Sequence, residues 1–393
     1  MEKRTSVFNT SQAQKRLILL IVTMFWFSQY VFIPYQAPYL HSIGTVPSLV
    51  GMVVGAYGLS QMLLRIPAGL TADHLGRYKV FILLGIVSSG IASLLRASFP
   101  SAKNFLIASL LSGLAAAMWI LFMVLFFTYF SSNGLQKATG WIVGANNLGI
   151  LIGFLTGTFL YDRFGIRFLC LLAAIVSAVA FFLATLIREP PQKGRTLPLR
   201  ELATVFQDRR LLVFAFIALI QQGIQISTSM SFTTQIAENL GASGFQIGVC
   251  SIIYILTAVL SSCFVTTKIF CKIKASIWIP AILACLTVYC ILIPNLPTVQ
   301  WIDAFQVLSG LSTGILFSVC TSEAMKYVPA EKHSSAMGFF QAVYALGMTV
   351  FPILTGIISG RHGIKCAFYC LAALAVTGIV GMAAYYRLHP AEK

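Results

Sequence analysis

Apolar residues come in runs of about 20, the length an α-helix needs to cross a bilayer, and twelve such runs follow one another along the chain. They lie at about 16–37, 47–70, 79–97, 104–129, 136–160 and 166–187, then at about 211–237, 245–267, 275–293, 299–326, 335–359 and 366–386. The breaks are short and hold glycine, proline or charge, except for one long polar stretch at 188–210. This pattern predicts an all-α membrane protein of twelve spans. The basic start (Lys3, Arg4, Lys15, Arg16) runs into span 1 without a small-residue cleavage site, so span 1 is expected to stay as an anchor.

The polar residues inside the runs are few and placed. Span 1 carries Ser28, Gln29, Tyr30, Tyr35 and Gln36, which a lipid-facing helix would not hold. Pro34 and Pro38 are expected to break or end it. Span 2 has Gly51, Gly55 and Gly58, then Gln61 and Arg65 one turn apart. Span 3 is plain, with Arg96 expected to snorkel from its outer end. Span 4 holds Ser109, Ser112, Gly113 and Trp119. Span 5 holds Asn146 and Asn147 among glycines that include Gly149, Gly153 and Gly157; small residues every fourth position let helices approach closely. Span 7 carries Gln221, Gln222, Gln225 and Thr228, span 10 Gln306, Ser309 and Glu323, and span 11 Gln341, Tyr344, Gly347 and Pro352.

The second six spans repeat letters of the first. Leu111-Ser112-Gly113-Leu114 returns as Leu308-Ser309-Gly310-Leu311, Ala138-x-Gly140 with Gly149 as Ala336-x-Gly338 with Gly347, and Arg163-Phe164-Gly165 as Arg361-His362-Gly363. The offset is 197 or 198 each time. Two six-helix bundles in parallel repeat are expected, at 1–187 and 211–393. A cytoplasmic linker at 188–210 would join them, with a short surface helix around Leu199–Phe206.

Composition agrees: 58% of residues are hydrophobic and 10% charged, where soluble domains carry roughly 25% charge. A net charge of +16 would suit nucleic acid if the bases formed one patch. Instead Arg77, Lys79, Lys137, Arg188, Lys193, Arg195, Arg200, Arg209, Arg210, Lys268, Lys272 and Lys274 fall on one side, and far fewer bases on the other. That is the positive-inside bias; it orients both termini to the cytoplasm of a plasma (inner) membrane and removes the case for nucleic acid. The nine cysteines lack CxxC spacing and read as small apolar residues.

Between spans 2 and 3 stands Gly69-Leu70-Thr71-Ala72-Asp73-His74-Leu75-Gly76-Arg77-Tyr78-Lys79. Its spacing, Gly-x-x-x-Asp-x-x-Gly-Arg-x-Lys, resembles the loop between helices 2 and 3 of the major facilitator superfamily of secondary transporters. His74 and Tyr78 stand where that pattern has bases. Gly149-x-x-x-Gly153-x-x-x-Gly157 resembles the helix 5 pattern of the superfamily's antiporters, with Phe154 in place of proline. These stretches look most like the bacterial drug:proton antiporter branch, although Ser109 stands roughly where those carry an arginine and span 1 lacks an acid. The resemblance implies a twelve-helix carrier working by alternating access. Its substrate site would lie between the halves near the bilayer midplane.

By that resemblance Gly69, Asp73, Gly76, Arg77 and Lys79 form a gate, with Asp73 approaching the start of span 11 near Ser335 and Ala336 when the cytoplasmic side is closed. The chemistry suits a carboxylate at free helix N-terminal amides. Arg77 would hold Asp73 or another acid; at the end of span 4, where relatives complete the network with an acid, this chain reads Tyr129-Phe130-Ser131-Ser132. Glu323 near the end of span 10 is either an i,i+3 partner of Lys326 or a gating and proton-binding group. Arg65 either bonds backbone carbonyls or Asp73, or faces a cavity beside Gln61 as the contact of an anionic substrate or a coupling element. Gln29, Tyr30, Gln61, Arg65, Trp119, Asn146, Asn147, Gln222, Gln225, Tyr254, Gln341 and Tyr344 are the candidate substrate-binding set, with Trp26 and Phe27 beside them.

No phosphate-binding loop, metal-ligand pattern or nucleophile arrangement points to an enzyme or a cofactor. The expectation is a monomeric transporter of small organic molecules, driven outward by the proton gradient. A carrier of an anionic metabolite using Arg65, and a receptor or scaffold that binds without translocating, are the alternatives.

Overall fold

In the computed structural model, residues 2–130, 134–190, 208–267, 270, 274–328 and 333–389 are described. Their regular structure is helical throughout. The first half holds α1 (Glu2–Tyr30), α2 (Ile33–Ser42), α3 (Pro47–Leu75), α4 (Tyr78–Ser98), α5 (Ala102–Ala117), α6 (Trp119–Phe127) and α7 (Leu135–Thr185). The second holds α8 (Arg209–Ser227), α9 (Thr233–Asn239), α10 (Gly244–Val265), α11 (Ala275–Leu292), α12 (Val299–Met325), α13 (His333–His362) and α14 (Ile364–Leu388). Among the described residues, eleven continuous stretches are long and apolar enough to cross a membrane. One of them, α7, is two helices meeting at Gly165, so twelve spans result. The surface helix expected around Leu199–Phe206 lies outside the described residues.

The repeat seen in the letters is also a repeat of backbone geometry. Gly165 and Gly363 both turn the chain with positive φ, at 71° and 84°, a region where only glycine is unstrained. Gly44 and Gly241, 197 residues apart, do the same at 76° and 85°. Gly149 presses α7 onto α1 so closely that a Cβ would strike the carbonyl oxygen of Thr23. Its counterpart Gly347 presses α13 onto α8 in the same way, against the carbonyl of Leu219.

Several spans are interrupted where the sequence removes backbone donors or crowds polar side chains. Span 1 breaks at Val31–Phe32, because Pro34 lacks the N–H that would bond Tyr30 and its ring crowds that carbonyl. Pro38, by contrast, sits within α2. Span 4 breaks at Met118. Span 7 carries a π-helical turn at Thr228–Phe232 between α8 and α9. There the hydroxyls of Ser227, Thr228 and Ser231 bond the carbonyls of Gly223, Ile224 and Ser227 at 2.7–2.8 Å.

Contacts divide the chain into two compact units. One takes residues up to Phe32 and from Leu63 to the end of α7; the other takes Ile33–Met62 and everything from α8 onward. Residues 33–62 belong with the second unit because the glycines of α3 form a seam with α13. A Cβ on Gly51 or Gly55 would strike the carbonyl of Pro352 or Thr349, and Gly356 meets Pro47 in the same manner. His41 of α2 lies 3.9 Å from Glu238 of α9 within this unit.

Candidate functional site

In the first unit the turn at Gly69–Lys79 is shorter than its letters suggest. Helix α3 continues to Leu75, Gly76 reverses the chain at φ 61°, and α4 starts at Tyr78. Gly76 is therefore required by the turn, while a Cβ on Gly69 would meet open space. Asp73 is not held by Arg77, whose side chain is exposed and makes no ion pair among the described residues. Tyr78 bonds it instead: the phenol donates to Asp73 Oδ1 at 2.8 Å. The first residue of α4 reaches back over the turn, whereas Arg77 precedes the helix in non-helical backbone (φ −131°, ψ 88°) with its side chain exposed.

The acid that completes this cluster comes from the end of span 6. Glu189 accepts the backbone N–H of Tyr78, and that of Lys79 at 3.4 Å, so a carboxylate sits on the positive end of α4. Lys79 answers in kind, its ammonium donating to the carbonyls of Thr185 at 2.6 Å and Ile187 at 2.8 Å. Gln14 of α1 donates to Leu186 O at 3.3 Å and accepts from Arg188 N at 3.0 Å. Tyr129 donates its hydroxyl to the carbonyl of Arg188. Burial, and then the charge of Glu189, push the Tyr129 phenol up to about 12, so it remains a donor at physiological pH. The end of span 6 is tied down by spans 1, 3 and 4.

Two of the candidate binding residues of this unit, Tyr30 and Trp119, lie in an aromatic cluster. Trp26 and Trp119 meet edge to face at 5.4 Å, Tyr30 lies 5.6 Å from Trp26, and Phe154 lies 6.1 Å from Tyr30. Gln29 is buried in α1, and neither its Nε2 nor Trp26 Nε1 has a hydrogen-bond partner. Asn146 and Asn147 are half-buried on α7. Arg65 is 3% exposed and donates through Nη2 to the carbonyl of Ala116 at 3.1 Å, beside the break between α5 and α6. Arg96 does not snorkel. It is 2% exposed and turned inward, donating to Ser112 Oγ at 3.1 Å and Ser109 Oγ at 3.4 Å. The apolar faces of Phe32 and Phe105, 4.5 and 5.8 Å from its guanidinium, make that inward pocket attractive to the cation.

The second unit holds a neutral hydrogen-bonding lattice. Gln225 donates to Tyr254 Oη at 2.7 Å, and Tyr254 and Gln221 both donate to Thr313 Oγ1 at 3.2 Å. Around the π turn, Ser229 bonds Ser309 and, at 3.0 Å, Tyr289; Tyr289 donates on to Gln306 at 3.2 Å. Tyr289 and Thr313 were not singled out by the sequence, although a tyrosine in a plain apolar span is itself a signal. Gln61 and Gln341 are buried, Gln222 is half-buried, and Tyr344 packs against Phe317 at 5.7 Å. Glu323 has two cations. Arg210 of α8 pairs with its carboxylate and donates through Nε to its carbonyl at 3.0 Å, and Lys326 stands at 3.8 Å. The sequence offered Lys326; Arg210, 113 residues away, was invisible to it.

Twelve spans in two repeats, with interrupted helices and buried polar side chains, define a polytopic membrane protein. The chain belongs to the Major Facilitator Superfamily, whose family model matches residues 18–292 and again 215–393. It is 23% identical to an uncharacterized MFS-type transporter of Methanocaldococcus jannaschii over 90% of this chain and 93% of that one. It is 24% identical to the inner membrane transport protein YajR of Escherichia coli, over 85% of this chain and 75% of that one. The quinolone resistance protein NorA of Staphylococcus aureus is 25% identical over 42% of each chain. In fold the chain is similar to the nucleoside transporter NupG, with a TM-score of 0.78 at 16% identity over 96% of this chain and all of that one.

Proposed function

We propose that this transporter exports small organic molecules across the plasma membrane by alternating access, with protons moving inward, and with both termini in the cytoplasm. The observation that carries the substrate class is the pairing of Trp26 with Trp119 beside the unpartnered Nε2 of Gln29. Such a surface offers aromatic contact with a few hydrogen bonds, which is what a small organic molecule needs. The Gln225–Tyr254–Thr313 lattice supplies the same chemistry in the second unit. The stretch shared with a quinolone resistance protein supports the outward direction. Asp73, Gly76 and Lys79 serve the cytoplasmic gate, with Arg77 at its exposed edge. Glu323 is the coupling acid: its protonation removes the charge that holds Arg210.

The test is transport by the purified protein in liposomes. Labelled cationic, neutral and anionic organic compounds are offered with and without an imposed pH gradient. Gradient-driven movement supports proton coupling; movement indifferent to the gradient removes it; binding without movement leaves a receptor.

A second reading, a carrier of an anionic metabolite, is favoured by the two guanidinium groups, Arg65 and Arg96, buried in one unit.

A further inference from the structure

Arg96 belongs to the last turn of α4, where water or headgroups would be within reach of an extended side chain. It turns the other way. Ser112, its nearest partner at 3.1 Å, stands in the middle of span 4, roughly 15 Å along the helix from Ala102 at 1.5 Å per residue. That is about half the thickness of a hydrocarbon core. The guanidinium therefore lies among the helices, inward of the end of α4.

It is incompletely satisfied there. An arginine has five N–H donors; Ser112 and Ser109 accept one each, and Nε has no partner. Two serine hydroxyls and the faces of Phe32 and Phe105 carry no negative charge, and no ion pair among the described residues includes Arg96. A buried cation without an anion costs several kcal/mol, and a methionine of similar shape would avoid that cost. The nearer aromatic cover, Phe32, is itself one of the two residues at the break of span 1, where the helix has no continuous hydrogen bonding to hold it. The seat for an anion is built, and its cover stands on a joint.

We propose that Arg96 is the counter-charge for one anionic group, a carboxylate or a phosphate, on the transported molecule. The group binds at the free Nε and Nη donors once Phe32 moves aside at the Val31–Phe32 break. Ser109 and Ser112 hold the fork in place and complete the site. This rests on the carrier reading and narrows it to substrates that pair an aromatic or apolar body with a single negative charge.

Purified wild type, Arg96→Lys and Arg96→Met are compared by thermal shift against a panel of small carboxylates and phosphate monoesters. Each anion is run beside its amide or its parent alcohol, which also separates the two anion types. Wild type should be stabilised by one anion class and not by the neutral counterparts. Arg96→Met should lose at least tenfold in affinity for those anions while keeping its own thermal stability or gaining some. Arg96→Lys, which keeps the charge without the fork, should retain the preference with weaker binding, and serves if the methionine variant does not fold. No anion outperforming its neutral counterpart in wild type, or an unchanged anion preference in Arg96→Met, overturns the assignment. Uptake of the stabilising anion into liposomes is scored separately. Arg96-dependent binding without uptake defeats the carrier reading and spares this one; uptake indifferent to Arg96 does the reverse.

Discussion

Tyr78 holds Asp73: its phenol lies 2.8 Å from Oδ1, across a turn reversed at Gly76. A tyrosine standing where the family pattern has a base thus keeps the acid in place by a hydrogen bond rather than by a charge. Asp73→Asn should fold and express as wild type while transport falls by about tenfold or more. Asparagine Oδ1 can still accept from Tyr78, but the charge is lost; a hydrogen bond to a charged group contributes about 1.5–3 kcal/mol against about 0.5–1.5 for a neutral one, and weakening it in one end state of the cycle biases the equilibrium by the difference. Tyr78→Phe should show the same defect in milder form. Initial rates in liposomes across a pH range decide this; wild-type rates in Asp73→Asn would remove Asp73 from the gate.

The glycine seams separate packing from propensity. Gly149→Ala and Gly347→Ala each push a methyl into a carbonyl oxygen, of Thr23 and of Leu219. Each should destabilise by about 1–3 kcal/mol, the usual cost of overpacking. Gly144→Ala, on the same helix as Gly149 with open space at its Cβ, should be neutral or stabilising by up to about 1 kcal/mol. Melting curves of the three variants in one detergent test the contrast, and equal melting temperatures would mean the seam relaxes freely.

Glu189 and Lys79 clamp the end of span 6 from opposite directions. Glu189→Gln weakens the carboxylate over the N-terminus of α4, by about 0.3–1 kcal/mol. Lys79→Met strands the carbonyls of Thr185 and Ile187. Both should raise hydrogen exchange in residues 183–189, with the lysine variant the more severe. Exchange confined to the wild-type level in both would show that Gln14 and Tyr129 suffice.

Glu323→Gln mimics a protonated carboxylate beside Arg210 and Lys326. Transport driven by a pH gradient should be lost while exchange of substrate without a gradient persists. If the gradient still accelerates transport in this variant, Glu323 serves only to hold α8 against α12, and the coupling group lies elsewhere.

The twelve spans, the letter repeat and the tight turn at Gly76 were legible in the letters because they obey local rules. A bilayer demands about 20 apolar residues per helix, and only glycine accepts a positive φ without strain. Most span ends were predicted to within a few residues; span 1 runs on to Ser42, and α3 runs on to Leu75 and shortens the turn at Asp73. Partners far apart in sequence were not legible. Arg210 finds Glu323 across 113 residues, Glu189 caps α4 across 110 or more, and residues 33–62 pack with the second unit through glycines whose neighbours lie on α13. Arg96 makes the same point at a single position. Sequence places it at a helix end, where a long basic side chain can reach outward to water or inward to the bundle with equal ease. The choice was made by Ser109, Ser112 and the rings of Phe32 and Phe105, which only the packing of three helices brings to one place.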